Sequence, residues 1–240
     1  MLSEKPWKPD AVLLLFLGIM VSISFGALAV YGFQAAGWGG KAQPGLLFLI
    51  KTLSFQGMAL YLIYGFARAH DLSWANAFGF NHPPIGRAAL LAAVVGAAAI
   101  PIAWSLNSLS EKILTAVHVQ AELQPAVQAL KSAGSGLEVV YFGLVAVILA
   151  PLVEELLFRG ILYPFLKRAS HRKLALWGTS FLFAAIHANL VTFIPLTFLA
   201  VIFTLLYETT GNLLSPILAH SLFNAMNFFY LLQQLNLGRA

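Results

Sequence analysis

The chain predicts an all-α protein: a polytopic transmembrane helical bundle of about seven spans. Three observations carry that expectation. Of its 240 residues 60% are hydrophobic and 10% charged, whereas a soluble domain carries about 25% charged residues. Apolar stretches long enough to cross a bilayer recur from end to end, near 11–33, 45–67, 87–107, 137–166, 173–189, 191–208 and 212–235. The basic residues gather beside those stretches, so the net charge of +5 reads as membrane orientation and not as a nucleic-acid surface. There is no cysteine, which excludes disulfides, a thiol nucleophile and thiolate metal sites.

The first span, Ala11–Phe33, follows Lys5 and Lys8 and contains an Ala27-Leu28-Ala29 sequence resembling a cleavage site. It is uncharged over far more than the roughly 7–15 residues of a signal core, so it is expected to remain as a span. The loop 68–86 is rich in turn residues, with Trp74, Phe78 and Phe80 expected as interfacial anchors. The segment near 109–131 carries Glu111, Lys112, Glu122 and Lys131 among apolar residues, and is expected to lie on the outer face as amphipathic helix. Between the fifth and sixth spans His187-Ala188-Asn189 and Pro195 predict a turn. Gly211-Asn212 predicts another before the last span. Lys167, Arg168, Arg172 and Lys173 form the densest basic patch and are placed in the cytoplasm. Counting outward puts the N-terminus, with Lys5 and Lys8, and the loop holding Arg68 and Arg87 on the same side. The chain reads as a single membrane domain, 1–240, with its chemistry in a core of about 137–235 (helices 137–166, 173–189 and 212–235).

The fourth apolar run contains Glu154, Glu155 and Arg159. Such groups cost roughly 2.5–3.5 kcal/mol each on insertion, and so mark a functional site. His187 lies in a later apolar run, and His220 with Asn224 in the last. In a hairpin centred near residue 170, Glu154 and His187 are almost equidistant from the turn, each about 25 Å along its helix. His220 and Asn224 lie roughly 14–20 Å past Gly211, an overlapping depth. Glu155 and Arg159 are spaced i, i+4 with the acid first, a self-neutralising pair that leaves Glu154 free to face a cavity. These groups permit hydrolysis. A buried carboxylate can activate water, two imidazoles can hold a metal or an oxyanion, and Asn224 can donate to developing charge. A metal-bound and a metal-free water remain equally open, and no H-E-x-x-H motif is present.

The order Glu154-Glu155-Leu-Leu-Phe-Arg159, Phe183-Ala-Ala-Ile-His187, His220-Ser-Leu-Phe-Asn224 resembles the CPBP family of intramembrane proteases. These are the CAAX-processing and bacteriocin-processing or self-immunity proteins, also called Abi, related to type II CAAX prenyl endopeptidases. The likeness covers about 139–227, and the piece Phe78–Pro83 adds a weaker one. The resemblance implies an intramembrane (metallo)endopeptidase with Glu154, His187, His220 and Asn224 catalytic and Glu155, Arg159 and Phe183 supporting. Glu154, His187 and His220 would be the ligands if a divalent metal such as zinc is used, and a metal-free glutamate mechanism is the other form. It implies as partners membrane lipid and a peptide or lipidated protein substrate, and as location a bacterial plasma membrane or an endomembrane.

Two other functions are compatible with the same residues: a non-catalytic peptide-binding immunity protein, and a proton-coupled transporter, which also uses Glu/His chains. The transporter lacks its expected paired inverted half. Phe183 is read as packing beside the site, Asn227 and Asn189 as interhelical glue, and Glu208 as either a cap or a cavity residue. His70, His82, His118 and His171 are read as solvated.

Overall fold

The computed structural model describes residues 5–36, 44–80, 85–119 and 125–237, and among these every regular element is helical. Lys41, His82, Pro83, Glu122 and Arg239 lie outside the described residues. In chain order the elements are α1 (Pro9–Ala35), α2 (Gly45–Ala69), the short α3 (Trp74–Phe78), α4 (Ile85–Ala116), α5 (Pro125–Lys131), α6 (Gly136–Ala169), α7 (Arg172–Ala185), α8 (Leu190–Thr210) and α9 (Leu214–Leu237). Each expected span is a helix. Five of them, α1, α2, α4, α6 and α8, are long and apolar enough to cross a membrane. The other two carry the histidine motifs. At 14 residues α7 is about 21 Å long, short of a roughly 30 Å hydrocarbon core. The 24-residue α9 has the length but spends it on His220, Asn224, Asn227, Gln233 and Gln234.

Several expectations need correction. The segment 109–116 is no separate surface helix: it continues α4, a 32-residue helix that runs unbroken through Pro101. Nothing between 102 and 116 breaks a helix, and the chain turns only at His118, whose φ is 59°. Phe78 is no interfacial anchor. It is fully buried, because Gly79 takes a left-handed turn (φ 76°) and Leu213 donates its backbone N–H to the Phe78 carbonyl at 3.1 Å, docking α3 beneath the α8–α9 turn. Pro195 lies inside α8, and the turn before it is made by Ala188 (φ 48°) and by Asn189, whose side chain accepts from Thr192 N–H. Asn189 is therefore a helix cap.

Helices α4, α8 and α9 pack closely together, and α7 lies along α8. The α4 face uses Ala88, Ala92, Gly96, Ala99 and Ala103, small residues that let backbones approach without hydrophobic pressure from lipid. A Cβ on Gly96 would sit 3.4 Å from the Ala219 Cα of α9. Asn227 is interhelical glue as expected, accepting from Trp104 Nε1 at 3.0 Å across α4 and α9.

Helix α6 departs from α-geometry twice, with π-turns at Val145–Leu149 and Leu156–Leu162. Each is followed shortly by a proline, Pro151 or Pro164. Proline brings no N–H to the helix ladder, and π-turns with outside donors are a usual way of re-satisfying the backbone. The first π-turn gives the Ala150 N–H to Val145, and the carbonyl of Ala146 accepts the Asn224 side chain from α9 at 2.8 Å. In α-register the carbonyl of Gly160 would need the missing amide of Pro164. It accepts Trp7 Nε1 at 3.1 Å instead.

Trp7 belongs to an extended strap, residues 5–8, ahead of α1. Lys5 Nζ donates to the Asn76 carbonyl, and burial lowers its pKa below the usual lysine value. Lys8 N–H donates to His70 Nε2 at 3.1 Å while His70 Nδ1 donates to the Phe66 carbonyl at 2.8 Å. His70 is thus half-buried and structural, where the sequence suggested a solvated side chain.

Candidate active site

The second π-turn sets the register of the charged residues. Glu155 ends the regular turn before it and Arg159 lies in its middle, both almost wholly removed from solvent. Arg159 Nη1 donates to Glu155 Oε1 at 2.8 Å, Nη2 to the Ala200 carbonyl at 3.1 Å, and Nε to Thr204 Oγ1 at 3.4 Å. The guanidinium also lies over the rings of Phe183 (4.6 Å) and Phe203 (5.5 Å). Burying this ion is tolerable because a full charge partner and several acceptors meet it.

The pair is not self-contained, as its spacing alone suggested. His220 Nδ1 donates to the same Glu155 Oε1 at 2.9 Å. A carboxylate accepts, so this nitrogen carries the proton and Nε2 is the open position of the neutral ring. Nε2 points to Glu154, with 3.8 Å to Oε2. That gap exceeds a hydrogen bond and suits one bridging water. The His220 ring stacks on Phe203 at 5.0 Å, which fixes its plane. Glu154 is half-buried, in contrast with its neighbour.

His187 lies in the turn just after α7, not within the helix. Its Nδ1 donates to the Phe183 carbonyl at 2.7 Å, again leaving Nε2 open. It reaches the cluster through Phe183, whose ring is 4.9 Å from His187, 5.9 Å from His220 and beneath Arg159. Phe183 is therefore the packing piece expected. Asn224 commits one amide N–H to Ala146. Among the described residues no three His, Cys, Asp or Glu side chains are arranged to hold a metal ion. Glu154, His187 and His220 are of ligand type, and among the described residues they are not gathered as a trio.

A second ionic group lies at the basic turn. Glu208, left open by the sequence, is buried and accepts Tyr163 Oη at 2.9 Å and Lys167 Nζ, with Arg172 Nε 3.5 Å from its other oxygen. It neither caps α8 nor joins the histidines. Its interaction with Tyr163 and the strap at Trp7 were beyond sequence reasoning, since each joins residues far apart in the chain.

Residues 136–226 match the family described as type II CAAX prenyl endopeptidase Rce1-like. The uncharacterized protein YpbD of Bacillus subtilis (strain 168) is 35% identical over 83 residues, 33% of this chain and 40% of that protein, so the match spans less than half of either. No solved structure matches the chain. The segment 136–226, which holds every member of the buried charge cluster, is the part of the chain that is similar to the type II CAAX prenyl endopeptidase Rce1-like family.

Proposed function

We propose that the protein is an intramembrane endopeptidase that hydrolyses a peptide bond in a membrane-associated peptide or a lipidated protein tail, with Glu154 as general base. One observation carries this reading: Glu154 and His220 Nε2 face each other across 3.8 Å while Glu155 holds the far side of the imidazole. A water in that gap can donate one hydrogen to each acceptor. Its lone pair then points away from both, toward a substrate carbonyl.

The steps balance without further reagents. The water oxygen bonds to the carbonyl carbon as Glu154 takes a proton. The oxyanion is met by His187, whose Nε2 donates when the ring carries its second proton. The carbon–nitrogen bond then breaks, and Glu154 passes its proton to the leaving nitrogen. A new carboxylic acid and an amine result. In this reading the basic turn at Lys167–Lys173 and the N-terminus face the cytoplasm, as their basic residues favour, and a substrate tail enters from the cytoplasm or from the bilayer.

The test uses the purified full chain in proteoliposomes, with a farnesylated CAAX peptide and an unprenylated hydrophobic peptide as substrates. Wild type is expected to cleave at least one, and Glu154→Gln to lose at least about 10²-fold in rate with unchanged thermal unfolding. Chelation of divalent ions is expected to leave the rate unchanged. Loss on chelation that zinc restores would recast Glu154 and the histidines as ligands. Binding of peptide by both forms with cleavage by neither would make the protein a peptide-sequestering one.

A further inference from the structure

The strap ahead of α1 has no part in the chemistry just described, yet its best-buried side chain ends on the helix that carries it. Trp7 is 1% exposed. Its ring packs on Phe66 (centroids 4.9 Å) and His70 (5.2 Å), and its indole N–H reaches the carbonyl of Gly160, 153 residues away. Gly160 directly follows Arg159 within the π-turn Leu156–Leu162. Its carbonyl would be answered in an α-helix by the amide of residue 164, which is proline. The other side of Gly160 is closed by Phe78, which a Cβ there would meet at 2.8 Å. The backbone beneath Arg159 is thus held by a hydrogen bond from the strap and by van der Waals contact from α3.

The register of that turn decides where Arg159 points, and Arg159 shares Glu155 Oε1 with His220. Asn224 makes the equivalent bond at the first π-turn, on Ala146. Both turns flanking the Glu154-Glu155 pair are therefore locked by a donor from another element. At the second, that donor comes from outside the Rce1-like segment. We propose that Trp7 is a positioning residue for the active centre: its indole N–H holds the π-turn that aims Arg159 at Glu155 and, through Glu155, sets the His220 ring toward Glu154. This inference rests on the hydrolytic reading for its effect on rate, but not for its effect on His220.

The experiment therefore reads both. Trp7→Phe keeps an aromatic ring against Phe66 and His70 and removes the N–H. Benzothienylalanine at position 7 removes the N–H with the bicyclic shape intact, and serves if the phenylalanine variant folds poorly. Phe66→Leu is the packing control, since it loosens the same cluster and leaves the hydrogen bond. In full-length, ¹⁵N-histidine-labelled protein, loss of the N–H is expected to shift the His220 ring resonances and leave those of the exposed His118 and His171 in place. In proteoliposomes kcat is expected to fall about three- to tenfold, the loss of one hydrogen bond, with KM within twofold. Phe66→Leu should lower the unfolding temperature with neither effect. Unmoved His220 resonances in both N–H-deleted proteins overturn the proposal, as does a Phe66→Leu spectrum and kcat changed to the same degree. If wild type cleaves nothing while the His220 resonances still respond to position 7, the hydrolytic reading fails and the positioning role stands.

Discussion

Glu155 receives both Arg159 and His220 on Oε1, and its Oε2 has no hydrogen-bond partner among the described residues. With His220 doubly protonated, Glu154, Glu155, Arg159 and His220 sum to zero charge. With a neutral ring they sum to −1. Removing Glu155 takes away the carboxylate hydrogen-bonded to a guanidinium with 1% exposure, whereas removing the pair together leaves an apolar gap of similar shape. Glu155→Gln is therefore expected to destabilise the protein by about 3–5 kcal/mol. The double change Glu155→Leu with Arg159→Met should recover most of that stability and none of the activity, because His220 loses the acceptor that sets its tautomer. Chemical denaturation in detergent, beside the peptide cleavage assay, measures both. Equal loss of stability in single and double variants would deny the pair its uncompensated-charge character. At this scale the sequence expected Glu154, His187 and His220 to share one cavity; the structure sets His220 against Glu154 and Glu155, and His187 against Phe183. The sequence misjudged the Glu155–Arg159 pair as closed on itself, because helical spacing reports only partners on the same helix.

Helix α6 is assembled around two places where its own ladder fails. A proline within an apolar run usually signals a break, yet the helix crosses both Pro151 and Pro164 because the bulged turns pass the shortfall to particular carbonyls. Asn224→Ala strips the donor from Ala146 and leaves a half-buried carbonyl unmet, at a cost of about 1 kcal/mol. Adding Pro151→Ala supplies an amide at the i+5 position of Ala146, so the double variant is expected to regain part of that stability. Thermal unfolding of the two variants side by side checks it, and a double variant no more stable than Asn224→Ala removes the explanation. The same geometry revises the part of Asn224 in the centre: with one N–H on Ala146, it fixes α9 to α6 and has a single amide proton left for any substrate. Sequence reasoning found the turns at Gly211 and Ala188 because glycine and helix-ending residues announce themselves locally. It had no means of finding the π-turns, whose stability depends on donors from α9 and from the strap.

Across the whole molecule the chemistry-bearing helices are joined at two levels. The buried cluster ties α6, α8 and α9 within the bundle. At the basic turn, Glu208 of α8 gathers Tyr163 and Lys167 of α6 with Arg172 of α7. Glu208→Gln keeps the shape and removes the charge, and is expected to cost about 1.5–3 kcal/mol, the range for hydrogen bonds to charged groups. Cleavage by the folded fraction should be unchanged, since the clamp lies apart from His220. Unfolding in detergent with activity normalised to folded protein tests this, and a kcat reduced beyond the folded fraction would link the clamp to the centre.

By itself the sequence determined the class of protein, most of its helices and the residues that bring charge into apolar runs. Those follow from local quantities: apolar length, spacing and the cost of burying ions. Only the tertiary structure decided how the charges are shared. His220 on Glu155, Asn224 on Ala146, Trp7 on Gly160 and Glu208 on Tyr163 are contacts between distant segments, made where a buried polar group must find a partner and the chain near it has none to offer.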